Sequence, residues 1–204
     1  MDEWLMIVSR QLSLYSVPVL VSLTLVVLLE SRLTKTAIPS PFFAIKSFGT
    51  WMPLLAAIAF HRGIIIALPN SLGVGIKPAA VRFGAHSLLC LLGFLLFSWS
   101  LSNQVPTGLP SLQHWWAKVL MYFNLCMAGL HLLPLPGLLA GECLANSALG
   151  GLIKRRINRK LSRKQSWLIF TILAASPLLD LILGAYVVFP IYTLLSDLAT
   201  NLFK

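Results

Sequence analysis

The stretch Asn124 to Glu142, NLCMAGLHLLPLPGLLAGE, limits what this chain can become more than any other. It is apolar enough for a membrane interior, yet Pro134 and Pro136 fall within it, two residues apart. Each proline lacks a backbone donor and pushes the residue before it out of the α region, so a helix entering this run has to stop. Irregular backbone at membrane depth persists only where protein or a polar cavity shelters it. The run therefore reads as the lining of an internal site, not as a lipid-facing helix.

Composition sets the surroundings. Of 204 residues, 57% are apolar and only 11% charged, with a mean hydropathy of +0.83. These values exclude an ordinary soluble domain and specify an all-α polytopic membrane protein. The net charge of +10 does not point to nucleic acid, because seven of the sixteen basic residues crowd into Lys154, Arg155, Arg156, Arg159, Lys160, Arg163 and Lys164. Such a cluster beside apolar spans marks a cytoplasmic loop, with anionic lipid as its partner. Cys90, Cys126 and Cys143 lie in or beside apolar segments without paired spacing and read as buried thiols. The opening MDEWLMIVSRQ is acidic first and shows no small-residue cleavage site, unlike a removable signal peptide.

Taken in order, the chain predicts four crossings and a hairpin. A span over residues 11–29 suits about 30 Å of hydrocarbon and ends abruptly at Glu30, Arg32 and Lys35, a basic end that belongs inside. Residues 50–70 hold two short apolar runs separated by His61 and Arg62. A single helix through them would place Arg62 near mid-membrane, at a cost of about 2.5 to 3.5 kcal/mol, so a re-entrant or interfacial hairpin is expected. A span over 82–101 carries Gly84, Ala85, Ser87 and Gly93, small residues suited to close helix contact. The span 114–136 enters through Trp115, Trp116 and Tyr122 and meets the proline break, and the basic loop 151–165 follows. A last span covers 167–188, with Pro177 and Asp180 inside it, and residues 190–204 read as an interfacial tail, a further short span being the alternative. Size and loop economy fit a bacterial inner-membrane protein, the whole forming one membrane domain.

The break also resembles a motif of site-2 proteases, the intramembrane zinc metalloproteases, in which N-x-x-P-x-P-x-L-D-G supplies a zinc ligand through its Asp. Aligned on the prolines, Pro134, Pro136 and Leu138 match, His131 takes the Asn position, Leu139 the ligand Asp position and Ala140 that of the first Gly. The family's HExxH, two zinc-binding His and a general-base Glu at the end of an earlier span, falls on Leu29-Glu30-Ser31-Arg32-Leu33. Both His positions are Leu and only Glu30 keeps its type. The resemblance implies a site-2-protease-like transmembrane core whose vestigial catalytic positions are Leu29, Glu30, Leu33 and Leu139.

A zinc hydrolase needs about three protein ligands and an open position. With the family ligands absent, His61, His86, His131, Glu30, Glu142 and Asp180 are what remains. On the bland view His131 satisfies carbonyls freed by the prolines, Glu30 pairs with Arg32 or Lys35, and Asp180 accepts a bond near a kink or pairs with Arg82 or Arg62. No metal, cofactor or catalytic residue is expected. The resemblance then implies a pseudoprotease whose groove, at His131, Pro134, Leu135, Pro136, Gly137 and Leu138, receives a helix of another integral membrane protein. Two alternatives stay open: an active metalloprotease with relocated ligands, and an accessory subunit of a membrane assembly with no groove function.

Overall fold

The computed structural model describes residues 2–38, 40, 42–68, 75–103, 110–135, 137–147 and 163–202. All regular elements among them are helical. Three helices are long and apolar enough to cross a membrane: Glu3–Thr34, Ile76–Ser102 and Asp180–Asn201.

The first of these lies in α1 (Asp2–Thr34), whose 33 residues make a rod of about 50 Å, longer than the apolar stretch the sequence marks. Pro18 sits inside it, and the Ser22 hydroxyl donates to the Pro18 carbonyl at 2.7 Å. After the short α2 (Phe43–Lys46), helix α3 (Phe48–Ala59) runs only 12 residues. The chain reverses at Phe60 and His61, the latter at φ +51°, and returns without regular structure from Ile64 to Leu68. The Leu68 amide closes the hairpin on the Gly49 carbonyl at 2.8 Å. Twelve helical residues reach about 18 Å, too short to cross about 30 Å of hydrocarbon. Ile64, Ile66 and Ala67 are fully buried, so this return segment is part of the core.

Helix α4 (Ile76–Ser102) packs along α5 (Leu112–Leu130), and α1 lies against both. Contact is close at Gly93, where an added methyl would collide with the Met121 backbone. Gly84, in contrast, faces open space. Helix α5 is the centre of the molecule: Met121, Phe123, Asn124, Cys126 and Leu130 are fully buried, while α4 turns Leu88, Leu91 and Leu95 outward. A helix apolar on every side belongs inside a bundle.

Beyond the break lie α6 (Leu139–Asn146) and α7 (Arg163–Ala175), the latter packed on α3. The expected last span 167–188 does not stay whole. It is interrupted at Ser176 and Pro177, because the proline cannot continue the ladder behind it. From Asp180 to Val188 the chain is π-helical and passes without interruption into α8 (Phe189–Asn201). The residues expected to form an interfacial tail are thus the second half of a 22-residue apolar helix. Pro190 does not end it, because the wider π turn, with the Phe189 amide bonded to the Gly184 carbonyl, brings the chain past the missing donor. Cys90 and Cys126 are buried thiols, but Cys143 is exposed on α6.

Candidate functional site

The break is built at the end of α5. From Trp116 to Leu130 the helix descends about 21 Å, roughly two thirds of a hydrocarbon layer, before the backbone leaves the α form. His131 caps the helix, its amide bonded to the Ala128 carbonyl, and tight turns follow through Leu132 and Leu133. Gly137 adopts φ +80°, a conformation that favours glycine. Where α6 doubles back, Gly141 lies so close to the Leu135 carbonyl that no side chain fits.

Two polar chains hold this backbone. In the first, Arg82 of α4, only 2% exposed, donates to the Glu30 carboxylate of α1 at 2.9 Å and to the Gly137 carbonyl at 2.7 Å. Glu142 of α6 accepts from the Gly137 amide at 3.1 Å. One turn of the break is thus tied to three helices by charged groups. In the second, the Asn124 amide group donates to Ser22 and to the Leu120 carbonyl, both at 2.8 Å. Its oxygen is left to accept from His86 Nδ1, also at 2.8 Å. The Ser22 hydroxyl donates in turn to the Pro18 carbonyl, so α4, α5 and α1 are joined by bonds running one way.

His131 lies between the two chains, its ring 6.3 Å from that of His86 and 6.2 Å from that of Phe83, centroid to centroid. Nδ1 of His131 accepts from the Leu139 amide at 3.2 Å, and the His131 carbonyl accepts from the Ala140 amide at 3.0 Å. The imidazole therefore serves the free amides that open α6, not the carbonyls freed by the prolines. With Nδ1 accepting, the proton of the neutral ring sits on Nε2, and the ring offers no second lone pair. Among the described residues, no three His, Cys, Asp or Glu side chains converge as a metal site would require.

The sequence-derived positions separate on this frame. Glu30 turns inward and is paired with Arg82, not with Arg32 or Lys35. Leu29 and Leu33 lie on the outer side of α1, 40% and 56% exposed, so they do not meet Leu139 in a shared pocket. Leu139 opens α6 beside His131. Leu138 is buried, Leu135 and Gly137 are partly so, and Pro134 is exposed, as is Leu132. Pro136 lies outside the described residues. So do Lys154, Arg155, Arg156, Arg159 and Lys160 of the basic loop, while Arg163 and Lys164 open α7. Asp180 faces neither Arg82 nor Arg62 in an ion pair. It accepts from the Ile64 amide of the hairpin at 2.7 Å.

The sequence offered Arg82 as a partner of Asp180, not of Glu30, and gave Ser22 and Asn124 no bonding role. The available signal was a strong donor in a membrane-grade segment, which is costly without a partner and so predicts one.

One edge of the break is unfinished. The amides of Leu135, Gly137, Leu138 and Leu139 are all bonded. The carbonyls of Leu132 and Pro134 receive no hydrogen bond among the described residues. The segment thus presents acceptors without donors, on its exposed side. Comparison with protein-family models, curated proteins and solved structures gives no match for this chain.

Proposed function

We propose that this chain is a catalytically silent membrane protein that holds a segment of another integral membrane protein against its proline break. The observation that carries the reading is the exposed pair Leu132 and Pro134, whose carbonyls have no donor among the described residues. Backbone acceptors left open in a bilayer cost several kcal/mol each, so something with donors has to cover them. Lipid chains have none. A partner segment that is unwound, or that carries hydroxyl or amide side chains, supplies them, and the outward Leu29 and Leu33 give it apolar surface at the Glu30 level of α1.

The site-2-protease resemblance belongs to this proposal as the origin of the break: a proline-interrupted scaffold kept, with Leu at the ligand positions. The relocated-ligand protease is the weaker reading, since the Leu139 amide occupies the lone pair of His131 that a metal would use. Purification in mild detergent tests both. The expected result is a co-purifying membrane protein, lost when Leu132 and Pro134 are replaced by Gln and Ala, with zinc far below one per chain. One tightly bound metal per chain, or a partner that survives those substitutions, overturns the reading.

A further inference from the structure

At the opposite end of α5, the packing of α1, α4 and α5 is incomplete. An apolar cleft of about 390 Å³ opens there, with Val17 and Val21 of α1, Leu96 and Trp99 of α4, and Trp116 of α5 in its walls. The size is that of a small-molecule site. Its depth is fixed by the chain: Trp99 stands three residues before the end of α4, and Trp116 lies in the second turn of α5. Tryptophans gather at that level at the membrane interface. The floor is closed, because Asn124 bonds to Ser22 at 2.8 Å directly below and Leu23 is buried.

Along α5 the cleft extends only from Gln113 to Leu120, about 10 Å of helix. A transmembrane helix buries a stripe along most of its length, so this pocket does not suit one. It suits the upper part of a single aliphatic chain. A polar group at its rim fits the other end of such a molecule. Gln113 is exposed at the rim, and its carboxamide has no hydrogen-bond partner among the described residues.

We infer that this cleft holds one acyl chain of a glycerophospholipid, with an ester carbonyl at Gln113. The site is independent of the proline break, which lies at the other end of α5, so either assignment can fail without the other.

The test reconstitutes the full chain into dioleoylphosphatidylcholine vesicles, re-extracts it in mild detergent and counts retained lipid by native mass spectrometry. One retained phosphatidylcholine per chain is expected. Val21→Trp, which fills the cleft from a half-exposed position, should lower retention about tenfold, and Leu91→Trp on the outer face of α4 should leave it unchanged. Should Val21→Trp fail to fold, a photoreactive phosphatidylcholine with a diazirine in its acyl chain gives the answer on the natural sequence. Adducts concentrated on Val21 and Leu120 support the site. No retained lipid, equal retention in both variants, or adducts spread evenly along α4 would each overturn it.

Discussion

The hairpin between α3 and α4 and the break between α5 and α6 both place irregular backbone inside a membrane bundle, and they handle it in opposite ways. The hairpin is buried and anchored at its turn. The Gly63 carbonyl accepts from Tyr122 at 2.6 Å, the Ile64 amide donates to Asp180 at 2.7 Å, and Arg62 donates to the Ala175 carbonyl at 2.7 Å. Its return segment is buried between helices. The break, by contrast, is fastened on one side by Arg82, Glu142 and His131 and left open on the other at Leu132 and Pro134. Irregular backbone buried on all sides is architecture. Irregular backbone fixed on one side and open on the other has the form of a site.

That contrast can be broken experimentally, most strongly at Arg82. Arg82→Met removes the cation that faces the buried Glu30 carboxylate, and should destabilise the protein by about 3 to 5 kcal/mol in reversible unfolding from mixed micelles. Adding Glu30→Gln should restore much of the loss; a double variant as unstable as the single would mean that the pair does not act as a unit. Next in size is Gly141→Ala, where the new methyl meets the Leu135 carbonyl and should cost about 1 to 3 kcal/mol. The same assay reads it, and no change would show that α6 is not packed on the break. On the hairpin side, Tyr122→Phe removes one bond to the Gly63 carbonyl and should cost about 0.5 to 1.5 kcal/mol while leaving partner capture intact. Loss of the partner in that variant would erase the distinction between the two regions. Smallest of all, Leu29→Ala with Leu33→Ala should move stability by less than about 0.5 kcal/mol per site, both being exposed, yet lower partner recovery in pull-downs.

Much of this arrangement was legible in the sequence. Prolines fix where helices stop, so the break at Pro134 and the short hairpin followed directly from Pro, Gly and Arg62 in apolar runs. Pro177 and Pro190 show the limit of that rule. The first interrupts its helix and the second does not, because a π turn, which leaves no clear mark in sequence, precedes Pro190. Pairings were the least legible. Glu30 finds Arg82 across 52 residues, and Asp180 finds the Ile64 amide across 116, since a buried charge takes whichever partner the packing brings near. Which side of α1 faces inward was equally hidden, as its apolar residues surround the helix and only the contact with α4 and α5 decides that Glu30 is inside and Leu29 outside.

The most direct measurement places a photoreactive benzoylphenylalanine at Leu132, at Leu138 and at Leu91 in turn, in cells, and compares the adducts. Leu132 is exposed at the break, Leu138 is buried beside it, and Leu91 is exposed on the far face of α4. The account predicts one discrete protein adduct from Leu132, none from Leu138 and lipid alone from Leu91. Lipid alone from Leu132, or the same protein adduct from Leu91, would contradict it.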